Sequence, residues 1–402
     1  MEPFSEGRKF WSDNLLLGAA TLVAGFFNML YSVVLAHALG PRDYGGITTL
    51  NNLVGLFLLP LPLIGLLAIR VGKRVGRQGL TYVVFGLGLS MFVISILMSV
   101  VLGTIFHLSR TLVVLYTASV VPNFGYALYI GFLERARKYR VVGILLAVSS
   151  GLAVGAVGMA VTVGHQHPLA WAGFLQAGLI LGMLWIARSQ SRGIPDLKPT
   201  PLPPAILVTT VGIGTLQALW GMSDSLLAKA HLSSLNAGLY TGIATVGQAL
   251  PFAVSSIATV MLTAILDDPQ HPQRYLGRSL ALTGLLAVGF FAVVYGLPNF
   301  VVKVFLGTHF LPITPLLTEY GMAMIALSII IVLTTYGVAV GDWWSVVPSA
   351  SGTILWITWM LSSYNIGSLV HRTLWSMLVT LLGLLVTRWI TGRGTDRSAI
   401  NS

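Results

Sequence analysis

Long apolar runs separated by short polar segments cover most of this chain of 402 residues. A helix needs about 20 apolar residues to cross the hydrocarbon core of a bilayer. Twelve runs reach or approach that length, and because they are continuous rather than alternating they predict α-helices and exclude a barrel of strands. The predicted spans are Asn14–Leu39, Gly46–Ile69, Leu80–Phe106, Thr111–Phe132, Val141–Val163, Leu169–Ile186, Pro204–Ala228, Gly238–Leu266, Leu280–Phe305, Leu311–Val340, Trp343–Ser363 and Leu369–Ile390.

The composition agrees with a protein that has hydrocarbon as its main solvent. Apolar residues make up 55% of the chain and charged residues 9%, and the mean hydropathy is +0.84. A soluble domain carries about 25% charged residues, so a soluble enzyme, a nucleic-acid-binding protein and a disordered protein are excluded. The absence of cysteine excludes disulfides and thiol catalysis. The sequence therefore predicts an all-α polytopic membrane protein with membrane lipids as its surroundings.

The basic residues follow the alternation of the loops. The net charge is +11, and with a cytoplasmic N-terminus 18 of the 23 Lys and Arg residues fall on the cytoplasmic side. Basic residues accumulate in cytoplasmic loops of membrane proteins. We therefore expect a multi-pass protein of the cytoplasmic (inner) cell membrane with both termini in the cytoplasm. The five on the opposite side are Arg42, Arg110, Lys229, Lys303 and Arg372.

A proline-rich polar segment predicts a division into two halves. Residues 188–204 contain five prolines, and proline cannot continue a helix. We expect this segment to be a cytoplasmic linker between an N-terminal six-helix bundle, residues 1–187, and a C-terminal six-helix bundle, residues 205–402. A weak internal repeat aligns the segment that starts at Met29 with the one that starts at Met222, an offset of 193 residues. Transporters are commonly built from such repeats, with the substrate path at the repeat interface.

Two short motifs add a family resemblance. Residues 39–45 read LGPRDYG, and residues 236–240 read NAGLY, followed by Gln248 and Pro251. These segments resemble the polysaccharide flippases, the O-antigen and capsule repeat-unit exporters of the multidrug/oligosaccharidyl-lipid/polysaccharide (MOP) transporter superfamily. The resemblance implies a MATE-like, V-shaped pair of bundles around a central cavity lined by the first, second, seventh and eighth spans. Many relatives have fourteen spans, whereas this chain has room for twelve.

Polar residues within those four spans are the candidate substrate-binding groups. A buried amide without a partner costs a few kcal/mol in hydrocarbon, so each must face protein or water. As a set, the amides suit sugar hydroxyls, the two aromatic residues could stack on a sugar or a prenyl chain, and the two basic residues could bind pyrophosphate. The alternatives are interhelical hydrogen bonds and lipid packing. The candidates are Asn28, Tyr31, Asn51, Asn52, Arg70, Gln217, Trp220, Lys229 and Gln248.

Arg70 also belongs to a basic run with helical spacing. Arg70, Lys73, Arg74 and Arg77 would share one helix face. That face could bind anionic lipid headgroups, or Arg70 could receive the substrate pyrophosphate at the cytoplasmic end of the second span. Both interpretations stay open at this stage.

Asp224 is the one acidic residue clearly inside a predicted span. Ionisable groups inside a membrane are costly and commonly functional, so Asp224 is the candidate for a coupling proton or cation. The alternative is a structural carboxylate that is hydrogen-bonded or paired with Lys229. Glu319, in the outer part of the tenth span, is a weaker candidate. No phosphate-binding loop, enzyme motif or metal-ligand spacing is present in the sequence, and no cofactor, metal or catalytic residue is expected.

Three functions follow from these observations. The first is a flippase that moves a polyprenyl-pyrophosphate-linked oligosaccharide from the cytoplasmic to the outer leaflet by alternating access, with glycosyltransferases or a polymerase of the same pathway as candidate partners. The second is a multidrug or cation antiporter of the MATE branch, which would favour a cluster of acids inside one bundle. The third is a non-transporting scaffold of a glycan-synthesis complex.

The loop charges generate a topological prediction. Because the chain has no cysteine, single cysteines at Lys198 and Lys303 can be labelled with a membrane-impermeant thiol reagent. We expect them to react from opposite sides of the membrane. Labelling from the same side would contradict the twelve-span topology.

Overall fold

The computed structural model describes residues 3–61, 64, 76–136, 138–164, 167–194 and 204–400. Over these residues every regular element is a helix. The chain divides into two compact units, Met1–Leu202 and Pro203–Ser402. The two units are described one after the other.

The described residues of the first unit form six helices. Its first helix is long because it merges two predicted spans across a break at Gly40, which has φ 68°. Glycine adopts this left-handed conformation without a steric penalty, and Pro41 then provides a φ suited to the start of the next helical stretch. The helices are α1 Pro3–Phe57, α2 Gly76–Ile105, α3 Arg110–Thr117, α4 Val120–Arg135, α5 Tyr139–Val163 and α6 Pro168–Gln190.

The second unit contains eight helices and two short 3₁₀ turns, Thr308–Ile313 and Trp343–Ser345. The helix pair that corresponds to the two halves of α1 is separated at Ser233, an extended N-cap residue whose side chain accepts a hydrogen bond from the Asn236 N–H. Gly40 and Ser233 are related by the offset of the internal repeat. The helices are α7 Pro204–His231, α8 Ser234–Gly247, α9 Ala249–Asp267, α10 Pro272–Gly296, α11 Pro298–Phe305, α12 Thr314–Val340, α13 Val346–Leu361 and α14 Ile366–Ile400.

The helices confirm the predicted all-α membrane architecture. Among the described residues, nine helical segments are long and apolar enough to cross a membrane, with α1 counted once. The second half of α1, together with α7 and α13, completes the twelve predicted spans. The described part of each predicted span is helical, apart from local turns.

Several boundaries differ from the prediction, and the ninth span and the end of the sixth are the clearest cases. The ninth span begins at Pro272 rather than at Leu280, and it is interrupted before Pro298, where α11 starts. Proline at the first position of each helix explains both boundaries, because its missing N–H is not needed there. Helix α6 continues to Gln190, so the first residues of the predicted linker are helical. Residues 195–203 of that linker lie outside the described residues.

Helix breaks lie next to prolines in the second and eighth spans. Helix α1 ends at Phe57, and the Leu59 N–H, one residue before Pro60, makes a 3.4 Å bond to the Leu56 carbonyl. Helices α8 and α9 are separated at Gln248, three residues before Pro251. Proline lacks the N–H that would continue the helix and its ring crowds the preceding turn, which accounts for both breaks.

Each unit has its own packing centre. In the first unit α1 packs along α5, while α4 packs on α2 and α6. In the second unit α12 is the central helix and packs on α9, α10 and α14. Large side chains that are fully buried lie on these helices, including Tyr44 on α1, Phe124 on α4 and Tyr320 on α12.

Arg77 binds the end of α6 instead of lying on a free basic face. Its guanidinium donates to the Ser191 carbonyl at 2.8 Å and to the Ser191 hydroxyl at 2.7 Å. It also lies 4.9 Å from the centre of the Phe132 ring. The Lys138 ammonium donates to the neighbouring Gln190 carbonyl at 3.1 Å. Two cations therefore satisfy carbonyls at the C-terminus of α6, where the helix dipole favours positive charge.

These contacts change the interpretation of the basic run. Arg77 is engaged in the first unit, so the predicted common face with Arg70, Lys73 and Arg74 does not include a solvent-facing Arg77. The other three residues lie outside the described residues.

The contacts of Arg77 predict a stability effect. Arg77→Met keeps the aliphatic stem and removes the donors, and we expect it to lower the free energy of unfolding by about 1–2 kcal/mol, because the lost hydrogen bonds are charge-assisted but half-exposed. SDS-induced unfolding in mixed micelles measures this difference. Arg42→Met, at an exposed position, is the control, and an equal loss in both variants would contradict the assignment.

Candidate functional site

The carboxylate of Asp224 on α7 lies in the interior of the second unit. Asp224 is 1% exposed. Its Oδ2 accepts a 2.6 Å hydrogen bond from the Tyr320 hydroxyl on α12, and its Oδ1 accepts a 2.6 Å bond from the Ser225 N–H. A buried charge is tolerated only when such partners replace its hydration. Asp224 is thus a hydrogen-bonded carboxylate, which was one of the alternatives that the sequence left open.

Tyr320 connects this carboxylate to a wider polar network. Its ring contacts that of Tyr240 on α8 edge to face, with ring centres 5.9 Å apart. The Tyr240 hydroxyl lies 3.4 Å from the Thr373 hydroxyl on α14, which also accepts a 3.3 Å hydrogen bond from the Trp356 indole on α13. Five helices of the second unit therefore meet at one set of buried polar groups.

The close approach of Tyr320 to α8 depends on a glycine. A Cβ added to Gly247 would overlap the Tyr320 ring. Any larger residue at position 247 would therefore displace the side chain that holds Asp224.

Lys229 lies five residues after Asp224 on the same helix. It is 3% exposed, and its ammonium donates a 2.9 Å hydrogen bond to the Ser234 hydroxyl at the start of α8. Among the described residues, Asp224 and Lys229 are the two charged side chains that are buried. Helix α7 thus carries one buried charge of each sign.

Three other predicted residues make hydrogen bonds inside the second unit. The Gln217 amide nitrogen donates to the Thr334 hydroxyl at 3.1 Å and to the Thr335 hydroxyl at 3.4 Å. The indole of Trp220, which is 3% exposed, donates to the Thr353 hydroxyl at 2.8 Å. The half-buried Gln248 donates to the Gly221 carbonyl at 3.1 Å. These bonds are of the interhelical kind that the sequence offered as the alternative to substrate contacts.

The predicted residues of the first unit lie on α1. The Asn51 amide nitrogen donates a 3.0 Å hydrogen bond to the Tyr31 hydroxyl across the break at Gly40. The Asn51 Oδ1 is buried, and no hydrogen-bond partner for it lies in the described part of the chain. Asn28 is exposed and Asn52 is half-buried.

The structure thus brings together Tyr31 with Asn51 in the first unit and Gln248 with α7 in the second. Arg70 lies outside the described residues. A common substrate cavity for these residues, and a substrate contact for each of them, stays a prediction.

The sequence missed the partners that hold Asp224. Tyr320, Tyr240 and Thr373 come from spans read as apolar, and nothing in their local sequence indicates which helix face they occupy. The nearest signal was Glu319, beside Tyr320. Its carboxylate instead binds His371 Nδ1 at 2.7 Å, while the Trp375 indole donates to His371 Nε2 at 2.9 Å on an exposed face. Within the described residues no three His, Asp or Glu side chains are grouped as metal ligands.

Solved membrane transporters share this arrangement of helices. A lipid II flippase, MurJ, in an inward closed conformation aligns with a TM-score of 0.69 at 14% identity, over 93% of this chain and 87% of that one. An inward-facing multidrug resistance MATE transporter of the MOP superfamily aligns with a TM-score of 0.71 at 10% identity, over 95% and 99%. The chain has the fold of the MOP transporter superfamily.

A third structure with the MOP fold extends the similarity. The MATE multidrug transporter DinF-BH, solved as a complex, aligns with a TM-score of 0.65 at 12% identity, over 95% of each chain. No protein-family profile and no curated protein sequence matches the chain. The MOP fold and the apolar helices together identify a multi-pass membrane protein, and both the lipid flippase and the drug transporters share its architecture.

The hydrogen bond between Tyr320 and Asp224 generates a prediction. Tyr320→Phe removes a donor from a buried carboxylate, and we expect it to lower the free energy of unfolding by about 1.5–3 kcal/mol. Tyr364→Phe, at a side chain that is 89% exposed, should have little effect in the same SDS titration.

A double-mutant cycle separates the bond from the packing of the ring. In an Asp224→Asn background the effect of Tyr320→Phe should become smaller, because the charge that strengthens the bond is gone. Additive effects of the two substitutions would show that the bond does not stabilise the unit.

Proposed function

We propose that the protein is a flippase that moves a polyprenyl-pyrophosphate-linked oligosaccharide from the cytoplasmic to the outer leaflet by alternating access. The observation that carries this proposal is a set of uncharged polar side chains on the predicted cavity spans, namely Tyr31 and Asn51 on α1, Gln217 and Trp220 on α7, and Gln248 between α8 and α9. Amides and hydroxyls provide donors and acceptors together, as sugar hydroxyls require. The motifs that resemble the polysaccharide flippases point to the same substrate class.

The charged part of the substrate needs cations beside its path. The pyrophosphate cannot cross hydrocarbon unaided, because desolvating an isolated charge costs many kcal/mol. Arg70 is our first choice on the cytoplasmic side, since arginine makes bidentate contacts to phosphate oxygens. Lys229 is a weaker choice on the outer side. Its burial and its bond to Ser234 mean that it must leave that partner to reach a phosphate.

Asp224 is the group that can couple transport to a proton or cation gradient. It is buried, and it connects α7 to α12 through Tyr320. Protonation or cation binding would change the charge at the centre of the network, and with it the hydrogen bond that joins the two helices. This supports a flippase that is coupled to a proton or cation gradient.

The same carboxylate favours a second candidate, a cation-coupled drug antiporter of the MATE branch. A buried acid in one bundle is what such an antiporter uses to bind its coupling ion. Among the described residues of the second unit, however, Asp224 is the single buried acid. We therefore place the antiporter second.

The two functions predict different results in proteoliposomes. A flippase moves a polyprenyl-pyrophosphate oligosaccharide to the other leaflet, which a lectin added outside detects. Arg70→Ala should abolish this movement at matched protein levels, and Arg70→Lys should restore part of it. Arg192→Ala, at an exposed basic residue on the same predicted side, is the control.

Each alternative has its own signature in this assay. Undiminished movement in Arg70→Ala would favour the binding of anionic headgroups by this residue. Absence of glycan movement, together with proton-driven efflux of a cationic dye that Asp224→Asn abolishes, would favour the antiporter.

A further inference from the structure

A polar cleft inside the second unit lies apart from the Asp224 network. Helices α7 and α9 both pack on α12, and between them they leave a cavity of about 210 Å³. Gln217, which lines it, precedes Asp224 by seven residues, or about 10 Å along the helix. The polar residues of the cavity wall are Thr210, Gln217, Ser255, Thr259 and Thr335.

The wall of this cleft is uncharged and largely apolar, and its five polar side chains offer hydrogen-bond acceptors. The Ser255 hydroxyl donates its proton to the Phe252 carbonyl at 2.6 Å, and the Thr259 hydroxyl donates to the Ser255 carbonyl at 2.9 Å. Both hydroxyl oxygens keep lone pairs that can accept. The Gln217 amide nitrogen is held by the hydroxyls of Thr334 and Thr335, so its oxygen is the atom left to accept from a ligand.

An acceptor-rich wall selects ligands that donate hydrogen bonds. Sugar hydroxyls and the N–H of an acetamido sugar do so, whereas a phosphate would meet further lone pairs and no cation. A prenyl chain would leave the Gln217 amide oxygen without a hydrogen-bond donor, which is unfavourable in a low-dielectric interior. The remaining lining, which includes Ile213, Leu262 and Ile331, suits the C–H face of a sugar ring.

The size of the cleft suits a single ring. A cavity of about 150 Å³ is known to hold a benzene ring, so a cleft of about 210 Å³ has room for one six-membered sugar ring. We propose that the cleft between α7 and α9 is a subsite for one neutral sugar ring of the transported glycan, with Gln217 as its main hydrogen-bonding residue. The assignment of this ring to the transported glycan rests on the proposed flippase function.

The location of the cleft fits a role in the first binding of the substrate from the cytoplasmic side. Helix α7 contributes from its first half and α12 from its second half, and the α9 residues lie in the second half of the span that α8 and α9 form together, Ser234–Leu266. Because successive spans alternate in direction, these halves lie on the same side of the membrane. In the predicted topology this is the cytoplasmic side, where the substrate is made.

Cysteine protection in the purified full-length protein tests the subsite. Ser255→Cys places a thiol in the wall, and its rate of reaction with a methanethiosulfonate reagent reports access. We expect glucose, galactose or N-acetylglucosamine to slow this reaction. Ser351→Cys is the matched control, because Ser351 is exposed on α13 and likewise donates to its own helix, at 2.6 Å to the Val347 carbonyl. Its labelling should not change.

A second substitution identifies the group that binds the sugar. Adding Gln217→Leu to Ser255→Cys should raise the sugar concentration needed for protection about two- to tenfold, the loss expected of one neutral hydrogen bond. Thr335→Val, which keeps the shape of the side chain, replaces Gln217→Leu if that variant does not fold. Unchanged protection in the substituted protein would overturn the role of Gln217.

Other probes give outcomes that overturn the proposal. Protection by farnesol alone would make the cleft a prenyl groove, and protection by inorganic pyrophosphate alone would make it an anion site. Protection by none of these compounds would exclude a ligand site. Glycan flipping without sugar protection would overturn the subsite and leave the flippase function intact. Sugar protection without glycan flipping would overturn the flippase function instead.

Discussion

The second unit is organised around the Asp224 carboxylate, which is buried away from solvent. Asp224 is placed in an apolar helix, and its carboxylate is stabilised only while Tyr320 and the Ser225 N–H remain against it. The position of Tyr320 in turn depends on the absence of a side chain at Gly247 and on the neighbouring ring of Tyr240. The packing of α7, α8 and α12 is therefore coupled to the hydrogen bonding of one buried carboxylate.

The two halves of the chain carry different polar side chains at equivalent positions of the internal repeat. The internal repeat aligns Tyr31 with Asp224. Tyr31 bonds the neutral Asn51 side chain across a helix break, whereas Asp224 bonds a tyrosine of a distant helix. Burying a pair of neutral side chains that bond each other costs less free energy than burying a carboxylate, so the pair needs fewer additional hydrogen bonds. The asymmetry places an ionisable side chain in the polar network of the second unit, whereas the bond between Tyr31 and Asn51 in the first unit is neutral.

The helices could be predicted from the sequence because each apolar run by itself indicates a membrane-spanning helix. Twelve runs, the proline breaks and the tight turn at Gly40 all depend on local residues, and the structure contains them. The Arg77 contact shows the limit of this approach. Its spacing with Arg70 suggested a shared face, but its partner Ser191 is more than a hundred residues away, and no local pattern encodes that distance. Tyr320 was missed for the same reason.

The two buried charges of α7 also affect how the protein enters the membrane. Each intramembrane charge costs about 2.5–3.5 kcal/mol at insertion when it lies near the helix centre. The hydroxyl that binds Asp224 is synthesised 96 residues later. Until α12 has been synthesised, the carboxylate has the Ser225 N–H of its own helix but not Tyr320, so the contribution of Tyr320 to offsetting that cost begins only after five further helices have followed α7.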